Sequence, residues 1–281
     1  MYLAHFGLTE LPFGITPDTA FAFATRAHQE ALNTLLVAAD SGEGFIKITG
    51  EVGTGKTLLC RRFLATLPDS YISCYLPNPN HTPRTLLLAL AEELGHTLPA
   101  QSNEFTLLKT LNDTLLHLAA EGRRVVVCVD EAQALKDASL ETLRLLSNLE
   151  TEKRKLMQVV LFGQPELDTK LAQPNLRQLR QRISFHYRLG TLSRDELRLY
   201  LDHRLRVAGY RGAEVFSRAA VAALHKASGG TPRLVNILAH KSLLAVFGSG
   251  GVVVERRHVR DAARDTLDAP RRLSWLRWLL R

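Results

Sequence analysis

Phe45-Ile-Lys-Ile-Thr-Gly50-Glu-Val-Gly-Thr-Gly-Lys-Thr57 is the stretch on which the reading of this chain turns. A short run rich in β-branched and aromatic residues enters a glycine turn. The turn leads into a helical pattern that starts at Lys56. The turn matches G-x-x-x-x-G-K-[ST]. Its glycines let the backbone wrap a phosphate with inward-pointing N–H groups, the Lys56 ammonium reaches the β- and γ-phosphates, and the Thr57 hydroxyl is a ligand for Mg²⁺. The context suits that chemistry, because a strand over Phe45–Thr49 precedes the turn and a helix N-terminus, which favours anions, follows it. Gly50, Glu51, Val52, Gly53, Thr54, Gly55, Lys56, Thr57 and Leu58 are therefore the candidate nucleotide-binding residues.

About 75 residues further on, Val125-Val-Val-Cys-Val-Asp130-Glu131 runs an apolar strand into two carboxylates. The carboxyl edge of a parallel sheet is where ligands bind. Asp130 there is expected to hold the Mg²⁺ shell with Thr57, and Glu131 to orient and polarise the attacking water. Gln164 follows another apolar run, Val159–Phe162, where its side chain can bridge the carboxylates and a γ-phosphate. Arg180 and Arg182, in Leu179-Arg-Gln-Arg-Ile just before the last strand, and Arg233, in Gly229-Gly-Thr-Pro-Arg at a helix start, read on their own as surface cations; Lys56 and Glu131 are the catalytic candidates that the motifs supply.

Further out, strands are expected at Tyr71–Leu76, Val125–Val129, Val159–Phe162 and Ile183–Leu189. Helical stretches such as Lys56–Thr66, Thr82–Leu94, Phe105–Ala120 and Ser139–Glu150 lie between them. Alternation of this kind, with strands apolar on both faces, predicts an α/β fold: a parallel sheet covered by helices on both sides. After Gly190 the strand signal stops. Ser193-Arg-Asp-Glu196 reads as a capping box, and helices follow at about Ser217–Ala227, Arg233–Phe247 and Glu255–Thr266. The expected organisation is a nucleotide-binding core over 1–190, a small all-helical domain over 191–269 and a tail over 270–281.

Composition bounds the partners. The chain has 281 residues, 46% hydrophobic and 23% charged, as in ordinary globular proteins. No run approaches the ~18 apolar residues of a membrane span. The start carries neither basic head nor long apolar run, and three cysteines without a close pair fit a reducing compartment, so a cytoplasmic location is expected. The net charge of +8 is uneven: residues 1–173 hold 15 Lys/Arg against 20 Asp/Glu, and residues 174–281 hold 21 against 8. A basic C-terminal third points to phosphates, anionic lipid or an acidic protein face.

With these elements in order, the chain resembles an AAA+ ATPase, a P-loop NTPase with a three-layer αβα core and a small helical lid. More narrowly it resembles the ExeA/GspA and MshM group, linked to type II secretion and MSHA-type (type IV) pilus biogenesis, and its length matches the shorter pilus type. Tyr2…Phe6-Gly-Leu…Pro12-Phe13…Thr16-Pro17-Asp18, Gly50–Thr57, Asp130-Glu-Ala-Gln133, Leu143–Thr151, Gly163-Gln-Pro-Glu-Leu167, Leu179–Ile183 and Gly229–Asn236 carry the resemblance.

The resemblance implies ATP with Mg²⁺ as the ligand, Gln164 as sensor 1 and Arg233 as sensor 2 of the lid. It also implies an arginine finger acting on a neighbouring subunit, with Arg182 the first choice and Arg180 the second. Asn78 is a candidate to restrain Glu131, and Phe13 to Pro17 are expected near the adenine. A finger in trans implies a homo-oligomeric ring, a hexamer, working with inner-membrane proteins of a pilus or secretion machine. Related AAA+ proteins regulate target DNA in transposition, which keeps a DNA-dependent ATPase as the alternative. The tail Arg271-Arg-Leu-Ser-Trp-Leu-Arg-Trp-Leu-Leu-Arg281 suits either an anionic membrane surface or a helix packed on protein.

Overall fold

The computed structural model describes residues 2–16, 18–42, 44–77, 80–150, 155–267 and 269. In chain order its helices are α1 (Leu3–Phe6), α2 (Arg26–Ser41), α3 (Lys56–Thr66), α4 (Pro83–Glu93), α5 (Glu104–Ala120), α6 (Asp137–Leu146), α7 (Glu166–Leu171), α8 (Arg177–Arg180), α9 (Arg194–Val207), α10 (Arg218–Ser228), α11 (Pro232–Gly248) and α12 (Arg256–Arg264). The strands are β1 (Phe45–Gly50), β2 (Tyr71–Leu76), β3 (Arg124–Val129), β4 (Met157–Gly163) and β5 (Ile183–Leu189). The chain forms two compact units. One comprises Arg26–Glu51 and Lys56–Gly190; the other comprises residues up to Thr25, Val52–Gly55, and those from Thr191 onward.

The first unit is built on one five-stranded parallel sheet in the order β2-β3-β4-β1-β5. Its central strands are buried on both faces, which is why their sequences read as unbroken apolar runs. Strand periodicity divides their side chains between two cores. Val125, Val127, Val129, Val159 and Leu161 join α4, α5 and α6 on one side. Ile46, Ile48, Val126, Cys128, Val160 and Phe162 join α2 and α3 on the other. The edge strand β5 instead alternates half-buried and exposed positions along most of its length. Helix α2 is not among the expected helices. It buries Ala31, Leu32, Leu35, Ala38 and Ala39, a spacing that fits one helical face. The three cysteines are free and buried.

This sheet places three loops side by side. Residue 50 ends β1, residue 130 follows β3 and residue 164 follows β4, and β4 lies directly between β3 and β1.

In the second unit, α9 to α12 surround their own core. The Ser193 capping box forms: its hydroxyl accepts from Glu196 N at 3.3 Å, and Glu196 Oε2 accepts from Ser193 N at 2.9 Å. The N-terminal residues depart from the expected division. Tyr2, Phe6, Leu8, Phe13 and Phe21 are buried among the helices of this unit, not against the sheet. The physical reason is visible at Arg204, only 8% exposed. Its guanidinium donates to the Pro12 carbonyl, to Tyr200 Oη at 3.0 Å and to the Gly14 carbonyl at 3.5 Å. It also lies 4.8 Å from the Phe21 ring centroid. Asn236 Nδ2 adds a bond to the Gly14 carbonyl at 3.0 Å and its oxygen accepts from Tyr200 Oη at 2.8 Å. A buried cation held by carbonyls and aromatic faces needs that N-terminal backbone in place.

Candidate active site

The turn after β1 has the shape its glycines allow. Gly53 and Gly55 have φ of +79° and +96°, a region that side chains with a Cβ rarely adopt. Gly53 is fixed by space as well: an added Cβ would stand 2.5 Å from Arg233 Cβ. Arg233 N donates to the Gly53 carbonyl at 3.3 Å. The start of α11 thus abuts the glycine turn. The exposed Arg233 guanidinium makes no hydrogen bond or ion pair among the described residues.

Lys56 opens α3 and is 5% exposed. Its ammonium folds back on the turn, donating to the carbonyls of Gly50 at 2.8 Å and Glu51 at 3.0 Å. Burial pushes its pKa below the usual lysine value. The carboxylates of Glu131, Asp130, Glu51 and Glu166 oppose that shift.

Thr57 Oγ1 donates to Asp130 Oδ2 at 2.6 Å. The same carboxylate oxygen accepts from Tyr75 Oη at 3.3 Å, and Oδ1 accepts from Glu131 N at 2.9 Å. Burial and the Asp130 charge push the Tyr75 hydroxyl up to about 12, so it remains a donor. With its proton committed to Asp130, the Thr57 oxygen keeps its lone pairs for a cation. A hydroxyl and one carboxylate fit Mg²⁺, which keeps most of its shell as water and phosphate oxygens. Among the described residues no cluster of three or more His, Cys, Asp or Glu forms an all-protein metal cage.

Glu131 is the one non-glycine residue with positive φ, +51°, among the described residues. It leads into a short 3₁₀ turn, Ala132–Ala134. Its Oε2 accepts from Gln133 Nε2 at 2.6 Å and from Gln164 Nε2 at 2.9 Å. Burial alone would raise its pKa. The two amide donors and the Lys56 charge outweigh burial and hold it below the ordinary carboxylate value, so the side chain is ionised near neutrality. Gln133 had no individual role in the sequence. It was visible only as the last residue of Asp130-Glu-Ala-Gln133, and a two-residue separation says nothing until the turn is known. Lys170 was not legible either; its ammonium donates to the Gln133 carbonyl at 3.0 Å and to the Leu135 carbonyl.

The two finger candidates differ. Arg182 is half-buried, donates to Ser147 Oγ at 3.5 Å and lies near enough to Glu141 and Glu150 to lower both carboxylates, as a secondary influence beside Arg144 and Lys155. Arg180, the last residue of α8, is exposed and makes no hydrogen bond or ion pair among the described residues. Neither is bonded to Lys56, Thr57, Asp130 or Glu131. Phe13 is buried edge-on against Phe216, with ring centroids 5.8 Å apart, so its ring is packed in the helical core and not presented to a base. Ile15 is the exposed apolar side chain of that stretch, at 57%. Asn78, Pro17 and residues 270–281 lie outside the described residues.

A cavity of about 590 Å³ within the helical unit is bordered by α9 and residues 212–216. Of its carboxylates Asp195, Asp202 and Glu214, the last two are paired with Arg206 and Arg198, and it contains none of the nucleotide-site candidates.

The AAA domain family matches residues 39–171. The chain is 44% identical over 250 residues to General secretion pathway protein A of Aeromonas hydrophila; the alignment covers 89% of this chain and 46% of that protein. It therefore spans about half the length of that curated relative. Among solved structures it is similar to the Aeropyrum pernix ORC2 protein in its ADPNP–ADP complexes (TM-score 0.64, 17% identity, 93% of this chain and 74% of that one). It is similar also to Cdc6p from Pyrobaculum aerophilum (TM-score 0.68, 16% identity, 91% and 73%). At those identities the likeness is one of fold.

Proposed function

We propose that this chain, whose residues 39–171 match the AAA domain family and which is similar to General secretion pathway protein A, is an AAA ATPase that binds Mg·ATP and hydrolyses its γ-phosphate. The observation that carries this reading is the meeting of Lys56, the Thr57–Asp130 pair and the ionised Glu131 at neighbouring loops of one sheet edge. The turn Gly50–Thr57 wraps the phosphates, with Lys56 turning from its carbonyls toward the β- and γ-oxygens. Thr57 and Asp130 would hold Mg²⁺, which would supply charge neutralisation at the phosphates. Glu131 orients water, Gln164 spans the carboxylate and the γ-phosphate, and Arg233 reaches the phosphates from the lid. An arginine from the Arg180/Arg182 pair completes the site of a neighbouring subunit in a homo-oligomeric ring.

Phosphate release by the purified protein tests this reading. Lys56→Ala is expected to abolish nucleotide binding and turnover. Glu131→Gln should keep binding and lose turnover. A Glu131→Gln protein that hydrolyses ATP at the wild-type rate rejects it.

The biological role follows the relative. We propose assembly of a secretion apparatus or an MSHA-type IV pilus, in the cytoplasm or at the inner-membrane surface, with inner-membrane proteins of the machine as partners. Normal assembly in a host carrying only Lys56→Ala would remove that role. No helix among the described residues is long and apolar enough to cross a membrane. We propose that attachment to an anionic surface uses the basic Trp/Leu/Arg tail; flotation with anionic vesicles that is unchanged without residues 270–281 would dismiss it. The alternative, a DNA-dependent ATPase, rests on the excess of positive charge after residue 173. It requires DNA affinity that falls steeply with salt and DNA-stimulated hydrolysis, and the lack of both eliminates it.

A further inference from the structure

We propose that Gln133 is a positioning residue for Glu131: it anchors carboxylate oxygen Oε2 and leaves Oε1 as the oxygen that receives the proton side of the attacking water. The inference rests on the ATPase reading and adds to it an atom-level assignment for a residue without a role so far.

Three hydrogen bonds close a ring. Gln133 Nε2 donates to Glu131 Oε2 at 2.6 Å, Gln164 Nε2 donates to the same oxygen at 2.9 Å, and Gln164 N donates to Gln133 Oε1 at 3.0 Å. The last bond fixes the Gln133 amide. A backbone N–H can only meet a carbonyl oxygen, so the NH₂ end of Gln133 must face Glu131. Both amide donors land on Oε2. Oε1 accepts no hydrogen bond from the described residues and keeps its lone pairs for water.

The anchor is itself held. Lys170 clamps the Gln133 and Leu135 carbonyls, which pins the middle and the C-terminal end of the turn that carries Gln133. Gly163 leaves the room the ring requires, since a Cβ there would stand 3.2 Å from Gln133 Oε1 and 2.7 Å from the Leu167 side chain. Glu131 meanwhile sits in the left-handed region, where a residue with a Cβ stays only when its surroundings hold it. Gln164 has two amide protons and can keep one on Glu131 while the other meets a phosphate oxygen. Gln133 has no such second duty. It is the constant partner of the carboxylate, and a fixed carboxylate is what water positioning requires.

The test uses steady-state phosphate release and Mg·ATP binding by the full chain. Gln133→Ala should lower kcat about tenfold or more, with KM and the nucleotide Kd within about twofold, because the lost contact acts on the nucleophile side alone. Gln133→Glu, of equal size but facing the carboxylate with an acceptor, should lose more than Gln133→Ala. In a Glu131→Gln background, Gln133→Ala should produce no further loss, since both act through one carboxylate. Thermal melts of each variant report folding separately. Wild-type kcat in Gln133→Ala overturns the assignment, as does a loss that multiplies on top of Glu131→Gln, or a rise in Kd that accounts for the whole effect. A wild-type protein with no turnover fails the ATPase reading itself, and that result is read before any variant is compared.

Discussion

Arg180 and Arg182 stand two residues apart, yet their surroundings give them different tasks. Arg182 is engaged within its own subunit by Ser147, Glu141 and Glu150. Arg180 points a free guanidinium into solvent. If either acts on a neighbour's γ-phosphate, Arg180 can do so without breaking an internal contact, which reverses the preference suggested by resemblance. Arg180→Ala is expected to lower phosphate release by ~10³ or more without changing the melting temperature. Mixing it with Glu131→Gln subunits should restore activity, because a subunit with an intact carboxylate would then meet a subunit with an intact finger. No recovery on mixing would place the arginine outside a shared site. Arg182→Ala should instead destabilise by about 1 kcal/mol through its lost hydrogen bond. At this scale Lys56, Thr57 and Asp130 were legible as candidates from the motifs that follow the strands, and the structure brings Thr57 and Asp130 into contact. The sequence could not reveal Gln133, Tyr75 or Lys170 as parts of the site. Their roles depend on a left-handed residue and on cross-strand neighbours that no local pattern encodes.

Helix α9 shows what local signals can do at the level of an element. Ser193 and Glu196 exchange two hydrogen bonds at its first turn, and Asp195 and Glu196 add negative charge where the helix dipole favours it. Ser193→Ala should cost about 1 kcal/mol, measured as a lower denaturant midpoint with unchanged m-value. A neutral substitution would mean that α9 is held by its packing alone. The central strands were legible for a related reason, since burial on both faces leaves a continuous apolar run. Helix α2 was harder to read. Its buried face relies on five small or medium side chains (Ala31, Leu32, Leu35, Ala38 and Ala39) among polar neighbours.

On the scale of the whole molecule, the N-terminal residues, expected within the nucleotide-binding core, pack with the helices. Tyr2 Oη bonds His240 Nδ1 at 2.9 Å, and burial lowers the His240 pKa below its usual value. Burial likewise pushes Tyr2 up to about 12, so Tyr2 is the donor and the imidazole the neutral acceptor. In the unfolded chain His240 gains a proton below about pH 6.5; in the folded chain it resists until a lower pH. The unfolded state therefore binds more protons across that window, and stability should fall as pH drops through it. His240→Gln should flatten the dependence of melting temperature on pH below about 6.5, and an unaltered slope would show that other groups govern it. The sequence marked Gly190 as the place where strands give way to helices. It did not show that residues before Thr25 fill the helical core, because aromatic residues in an irregular segment do not name their neighbours.

Residues 52 to 55 form a brief excursion: the backbone leaves one unit for the other and returns within four residues. The helical unit is thus stitched from three separate pieces of gene. A recombination event at codon 190 would import new helices while leaving behind both the aromatic strap that fills their centre and the turn that meets Arg233. Inheritance of this lid is therefore all-or-nothing, and hybrids between distant relatives would be expected to survive only where all three pieces come from one parent.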